Sequence, residues 1–560
     1  MTGSCRLFSG IVVVALASAG SADAQGRGGA AWATAAADAQ RTSSIRTDPK
    51  ISPARMQQPG FQFLWKRTFE NPGGPSNVLT QPVLLPNIIA YKGFKALAFV
   101  GASTDNVYAV DYELNRVFWT QHLATASPTP GTAACPGGLM TITKAAAPVP
   151  PAGGRGGAGG PAGRGAVGVQ TAPGAAGVPP PPGAAGAPVP PGAAGGPPAQ
   201  GRGRADALAA PQRPTLPGGR DAGENVYAIS SGGMVHLMNP QVGTDQIPPV
   251  KFLPPNAKVV GSILVDTRLF AATTGKCGGA ANGVWAIDLV GTDKAVSSFD
   301  TKGAGVAGAV APTFGTDGTI YVATLSGDSP VANAVLGLDA KTLEQRDSFS
   351  AGSPFTSAPV VFQYKGRDLI VAANKDGRLY LLDSASLGGA DHKTPLHKTA
   401  PFTAAAPDVT GLASWADAGG TRWVIATTGA LAPDAKFTPA GGAVGTGGLV
   451  AFTVSDSGDA PILQPQWVSA ELKGPLTPAV INGVVFALAS GESGATSSRA
   501  TRGVPAVLYA LDGATGRQLW TSGNTITSTV RSVGPSGGDS QVYVAAEDGT
   551  LYAFGMPAER

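Results

Sequence analysis

Short apolar runs recur along the chain, and within most of them large apolar residues alternate with small or polar ones at a period of two. Gln541-Val-Tyr-Val-Ala545 is followed after a turn by Tyr552-Ala-Phe554, and Thr319-Ile-Tyr-Val-Ala-Thr324 by Leu336-Gly-Leu-Asp339. Val484-Val-Phe-Ala-Leu-Ala489 precedes Tyr509-Ala-Leu-Asp512, and Asp368-Leu-Ile-Val-Ala-Ala373 precedes Tyr380-Leu-Leu-Asp383. Runs of this length and period predict β-strands, with hairpin turns at Asp317-Gly, Asp376-Gly and Asp548-Gly. Weaker copies start their second strand at Tyr108, His236, Trp285 and Val450.

The eight anchors return every 40–60 residues or so once one insertion is removed, the period of a propeller blade. That insertion, residues 145–221, is nearly pure Pro, Gly and Ala and carries too little bulky apolar surface to offset its ordering entropy; it reads as disordered. The fold expected for 61–560 is therefore all-β, an eight-bladed β-propeller of four-stranded antiparallel blades. The last repeat ends at Tyr552-Ala-Phe554 without a fourth strand, while Phe61-Gln-Phe-Leu-Trp65 resembles a fourth strand with nothing before it. Pairing the two removes exposed sheet edges, so the N-terminal strand is expected to close the last blade. The inner strands expected from this order are Thr80-Gln-Pro-Val83, Gly137–Met140, Val260–Ile263, Val310–Thr313, Thr356–Pro359, Thr410–Ala413, Leu476–Ala479 and Ser528–Arg531.

Composition narrows the alternatives. Of 560 residues, 79 are Gly and 48 Pro, and only 14% are charged, which excludes coiled coils and long charged helices; no collagen period is present. The formal charge of +4 is carried by the insertion, where six arginines face Asp206 and Asp221, so nucleic acid is not an expected partner.

The chain opens with Arg6, the apolar run Ile11–Ala17 and then Ala22-Asp-Ala24, the pattern of a signal peptide (residues 1–24) cleaved before Gln25. No stretch reaches the roughly 20 apolar residues of a membrane span. A soluble periplasmic or secreted protein is expected, with residues 25–60 a flexible linker. Cleavage leaves two cysteines, Cys135 before the inner strand of the second blade and Cys277 between the second and third strands of the third. Those loops share one face of neighbouring blades, which predicts a disulfide. His122, His236, His392 and His397 do not cluster as metal ligands, and no haem motif occurs.

Ala510-Leu-Asp512-Gly-Ala-Thr515-Gly516-Arg-Gln-Leu-Trp520 matches the tryptophan-docking motif A-x-D-x-x-T-G-x-x-x-W of pyrroloquinoline-quinone (PQQ) propellers. Ala109-Val-Asp111 through Trp119 repeats its spacing with Leu114 and Asn115 in place of Thr-Gly; Trp65 and Trp467 hold equivalent positions, and Phe252, Phe299 and Phe349 stand in elsewhere. Each such aromatic fills the gap between blades, while Asp512, Thr515 and Gly516 shape a turn. The chain thus resembles the quinoprotein-like propeller superfamily and, within it, exported PQQ-binding-like β-propeller repeat proteins. The resemblance implies either a binding scaffold without a cofactor or an alcohol or sugar dehydrogenase holding PQQ and calcium.

The dehydrogenases of that superfamily carry adjacent cysteines, and here none are adjacent. The expected inner strands offer hydroxyl, small and apolar groups and no acid for calcium, with Asp408, Arg531 and Lys276 able to reach the hub only from loops. The reading is a binding or scaffold module with no cofactor, metal or catalytic residue, and another exported or envelope protein as partner. The PQQ- and calcium-dependent dehydrogenase is the alternative.

Overall fold

The structure, a computed structural model, describes residues 32–70, 79–90, 93–123, 135, 140–146, 225–290, 292–404, 409–458, 460–492, 503–531 and 534–557. The expected signal peptide with its cleavage point, and all of the insertion except Ala145 and Ala146, lie outside these residues. Ala145 bridges Leu264, and the Ala146 N–H donates to its carbonyl.

Eight antiparallel sheets form an eight-bladed β-propeller. Blade 1 consists of Val83–Ala90, Gly93–Gly101, Asn106–Asp111 and Arg116–His122. Blade 2 has Thr141–Thr143, Val226–Ile229, Met234–Met238 and Val250–Lys251; blade 3 has Val259–Val265, Arg268–Thr273, Gly283–Asp288 and Val296–Asp300. Blade 4 is Thr313–Phe314, Ile320–Ala323, Ala334–Leu338 and Gln345–Ser350; blade 5 is Val360–Tyr364, Arg367–Asn374, Arg378–Asp383 and His397–Lys398. Blade 6 is built from Leu412–Ala416, Arg422–Thr428, Gly448–Ser457 and Ala460–Val468, and blade 7 from Ala479–Ile481, Val484–Ala489, Val507–Asp512 and Gln518–Thr521. Blade 8 takes Ser536–Gly538, Gln541–Ala545 and Thr550–Gly555 from the C-terminus, and its outer strand, Gln62–Thr68, from the other end of the chain. Trp65 pairs with Ala553 and Lys66 with Tyr552 across that seam. The expected closure is what the chain adopts.

The burial pattern explains the strand chemistry. Second and third strands are covered on both faces: Val484–Ala489 and Ala334–Leu338 are buried throughout, whereas the outer strand Val296–Asp300 alternates exposed and half-buried. A blade has no core of its own, so its apolar faces are buried only by stacking on neighbours, at about 1.5–3 kcal/mol per fully covered Val, Leu or Ile. The inner strand of blade 8 corrects the expected position. It is Ser536–Gly538, not Ser528–Arg531, whose backbone instead joins blade 7 to blade 8: the Ala506 N–H donates to Ser528 O and the Glu547 N–H to Thr529 O.

The larger correction concerns the hub. Residues 25–60 are not a linker from Trp32 onward. Residues 32–48 circle inside the ring and meet the blades in numerical order. Trp32 O accepts from Leu84 N of blade 1, and Ala33 O from Lys144 N, which follows the inner strand of blade 2. The Thr34 hydroxyl donates to Ser262 O of blade 3 at 3.0 Å. Ala39, Gln40, Thr42 and Ser43 accept in turn from Phe314, Val361, Ser414 and Val480 of blades 4 to 7, at 2.8–3.0 Å. Ser44–Ile45 adds a parallel strand to blade 7, and Asp48 accepts from Ser540 N of blade 8 at 2.7 Å.

Small side chains suit this path, because the inner strands leave little width between them. The backbone is held in the left-handed region at Ala36, Ala37, Arg41 and Ser43 (φ 52–74°), a conformation that persists only where surroundings enforce it.

Candidate functional site

Tryptophans of the outer strands join one blade to the next. The indole N–H of Trp65 donates to Tyr112 O, that of Trp119 to Pro240 O and that of Trp467 to Gly513 O, at 2.8–3.0 Å. Each acceptor follows an Asp or Asn that ends, or directly follows, the third strand of the next blade. Four residues after that Asp or Asn stands Gly243, Gly516 or, in blade 1, Asn115, all with positive φ. A Cβ at Gly516 would stand 2.4 Å from the Trp467 ring, and one at Gly243 would stand 2.6 Å from Trp119. Asp512 builds this turn by accepting from Ala514 N, Thr515 N and the Thr515 hydroxyl, each at 3.0 Å. Gly516 therefore serves Trp467 of the preceding blade. Trp520, the tryptophan of its own motif, packs edge-on against Phe61, 4.9 Å between centroids, where the chain enters blade 8. Phe349 meets Tyr380 of blade 5 at 5.2 Å. These are blade-to-blade contacts and contain no reactive group.

At the hub, Gln81 uses its whole side-chain amide. Its oxygen accepts from the Trp32 indole and Ala36 N, and its nitrogen donates to Gly534 O and Pro535 O of the segment leading into blade 8. Arg41, fully buried, donates to Pro312 O, Ala35 O, Ser262 O and the Thr34 hydroxyl. Burial pulls its guanidinium down to about 9, with Asp38 acting in the opposite sense, so it stays charged at neutral pH. Desolvation raises the Asp38 carboxyl, against hydrogen bonds from Thr42 and Gln40. The hub does hold an acid, then. The sequence expectation of no acid concerns the inner strands, and Asp38 arrives instead on the N-terminal segment. The remaining space on this level is a cavity of about 30 Å³ beside Arg41, Ser43 and Gln81, roughly the room of one water molecule.

A larger space opens on the ring face that carries the loops entering the inner strands of blades 1 to 4. It is a funnel of about 640 Å³ with Ala35 and Gln81 at its inner end. Its walls include Leu79, Met140, Ile142, Val260, Val306 and Leu325, with Thr80, Ser103, Thr141 and Thr274 supplying hydroxyls. Thr80 Oγ1 accepts from Gly101 N, and Thr141 shares a 2.7 Å bond with Ser262. Among the described lining residues, Lys258 is the one ionisable side chain.

Cys135 and Cys277 form a disulfide beside this funnel, with Cα atoms 5.3 Å apart. Both sulfurs lie 3.7 Å from the carbonyl oxygen of Gly275, itself a lining residue, so the bridge braces the wall between blades 2 and 3.

Of the loop residues expected near the hub, Arg531 and Lys276 are not among the described lining residues of the funnel. Asp408 lies outside the described residues, Arg531 pairs with Glu547 at 2.6 Å, and the backbone N–H of Lys276 donates to Asn282. Lys258 was missed by sequence reasoning because nothing distinguishes it from a solvated lysine until the strands are placed.

No family model and no curated protein matches this sequence. Solved structures of similar architecture include the quinohemoprotein alcohol dehydrogenase of Comamonas testosteroni (13% identity, TM-score 0.48, 95% of this chain and 81% of that one). A europium-containing methanol dehydrogenase is similar at 10% identity and TM-score 0.49, over 94% and 98%. The computationally designed Ika8 protein is similar at 10% identity and 0.44, over 86% and 98%. Likeness at this level concerns the fold alone.

The expectation of no cofactor is corrected here. The solved structures of similar architecture include quinohemoprotein alcohol dehydrogenases. Calcium is a separate matter. A hard dication takes charged oxygen donors; the described lining residues offer none, and among the described residues no group of three or more His, Cys, Asp or Glu could hold a metal ion. The calcium half of the dehydrogenase site does not fit this funnel. The disulfide agrees with an oxidising compartment, and no helix among the described residues is long and apolar enough to cross a membrane.

Proposed function

We propose that this chain is an exported propeller acting as a binding module, with the funnel over blades 1 to 4 as its binding site. The observation that carries the reading is the funnel itself: a blind, mostly apolar space of about 640 Å³, inside the range of small-molecule sites, backed by the N-terminal segment and braced by Cys135–Cys277. Apolar walls with few polar groups favour capture by shape over bond-making chemistry. The signal-like start, the paired cysteines and the absence of a basic surface in the sequence support a periplasmic or secreted setting, with another exported or envelope protein as the partner that the bound state would address.

The test is to offer purified protein PQQ with calcium, and in parallel a panel of small apolar organic compounds, following quinone absorbance, dye-linked alcohol oxidation and thermal shift. Stabilisation by apolar compounds without alcohol oxidation supports the binding module. Stoichiometric PQQ uptake with turnover overturns it in favour of the dehydrogenase.

A further inference from the structure

We propose that the protein holds a second site, for a compact inorganic oxyanion of phosphate size, between Arg422 of blade 6 and Arg46 of the N-terminal segment, on the ring face opposite the funnel. The site is independent of what the funnel binds.

Arg422 opens the second strand of blade 6 and pairs with Ala416 at the end of the first. The turn between those two strands lies on the face away from the loops that enter the inner strands. The Arg422 side chain crosses to blade 5, where its guanidinium lies over the Phe362 ring, 5.4 Å from the centroid, and Nη2 donates to Gln363 O at 3.1 Å. The N-terminal segment climbs to the same end. Thr42 O accepts from Ser414 N of blade 6, and Ser44–Ile45 then runs parallel to Val480–Ile481 of blade 7. Arg46 follows at once and is exposed. Of the charges acting on Arg422, Arg46 comes first and Asp38 second.

The buried guanidinium has more donors than acceptors. Arg422 is 6% exposed, and its Nε and Nη1 are buried with no hydrogen-bond partner among the described residues. Burial pulls it down to about 10, Arg46 acting in the same sense and Asp38 against, so it stays charged at neutral pH. Idle donors on a buried cation are costly unless an acceptor reaches them. Neighbouring carboxylates are engaged elsewhere: Asp38 accepts from Gln40 N, Thr42 N and the Thr42 hydroxyl, and Asp368 from Thr316 and the Gln363 amide.

An oxyanion answers both features. It brings several acceptors to donors already held in place by the Phe362 stack and the Gln363 bond, and it stands between two like charges that otherwise repel. Because Nε and Nη1 are shielded from bulk water, the occupant is small, and the exposed Arg46 marks its way in.

The probe is inorganic phosphate, titrated calorimetrically into the full-length protein at fixed ionic strength in gluconate, an anion too bulky for the site. Saturable binding of one phosphate per chain is expected. Arg46→Ala changes an exposed residue and spares folding; Arg422→Lys keeps the charge and loses the planar fork. Each should weaken phosphate at least about tenfold, the size of a lost charge-assisted contact, with melting temperature as the check on integrity. No saturable binding overturns the site, and so does binding indifferent to Arg46→Ala. Binding lost in Arg46→Ala but kept in an intact Arg422→Lys overturns it too, as a surface contact of Arg46 alone. If Arg422→Lys melts early, hydrogen exchange of the wild type decides: phosphate should slow exchange around residues 417–423, and unchanged exchange there overturns the site.

Discussion

The ring of Trp467 lies directly over Gly516, so closely that a Cβ would stand 2.4 Å from it, and the two residues belong to different blades. The Thr-Gly of a blade is thus a seat for the preceding blade's tryptophan. Gly516 also has φ +71°, where an L side chain is strained in any case. Gly516→Ala should therefore cost about 1–3 kcal/mol of stability. Trp467→Ala, which empties the seat, should cost about 3–5 kcal/mol. Urea unfolding of both variants checks this, and a double variant costing clearly less than the sum would show that both act at one contact.

The N-terminal segment should behave as core. Arg41 is fully buried and Arg46 exposed, although five positions apart. Limited trypsin on the native protein is expected to cut after Arg46 and spare the bond after Arg41. The released end should stay bound through its hydrogen bonds to seven blades, and native mass spectrometry would detect it. Ready cleavage after Arg41, or loss of the fragment, would show that the segment does not occupy the hub.

Gln81 ties that segment to the closing seam. Gln81→Ala leaves the Trp32 indole and Ala36 N without their acceptor, and a buried donor so stranded is expensive, here roughly 2–5 kcal/mol. The loss should appear as a lowered urea midpoint. A variant as stable as the wild type would mean that water replaces the amide.

Asp38 gives stability a pH dependence of known sign. Desolvation holds its folded-state carboxyl above the ordinary 3.8 of the unfolded chain. Between those two values the unfolded state has released a proton that the folded state still holds, so unfolding is favoured by rising pH. The contribution is whole below the ordinary value and is lost as pH climbs through the folded one. Asp38→Asn removes that titration and keeps an acceptor for Thr42 N. The difference in urea midpoint should therefore shift in the variant's favour between about pH 3 and about pH 7; a constant difference over that range would be incompatible with a raised carboxyl.

The Cys135–Cys277 bridge spans 142 positions in sequence, and closing so long a loop constrains the unfolded chain strongly. Cys277→Ser is expected to cost about 3–5 kcal/mol. It should also loosen the funnel wall at Gly275, so probe binding is expected to weaken even under conditions where the variant remains folded. Unchanged affinity would separate the brace from the site.

Much of this architecture is legible in the amino-acid order, because strand period and turn chemistry are local. Alternation in Val484–Ala489 and its seven counterparts counts the blades, and the unpartnered Phe61–Trp65 announces the closure. The cysteine pairing follows from strand order alone, since adjacent loops of neighbouring blades must share a face. What only the tertiary structure decided is the hub and the funnel. Residues 32–48 are poor in large apolar side chains and show no period, so they look like a spacer; their burial comes from the closeness of eight inner strands, which reward small residues and backbone hydrogen bonds over bulk. Lys258 becomes part of a site for the same reason: its neighbours in space come from four blades and the chain's opening segment, and no local pattern records a meeting at that distance.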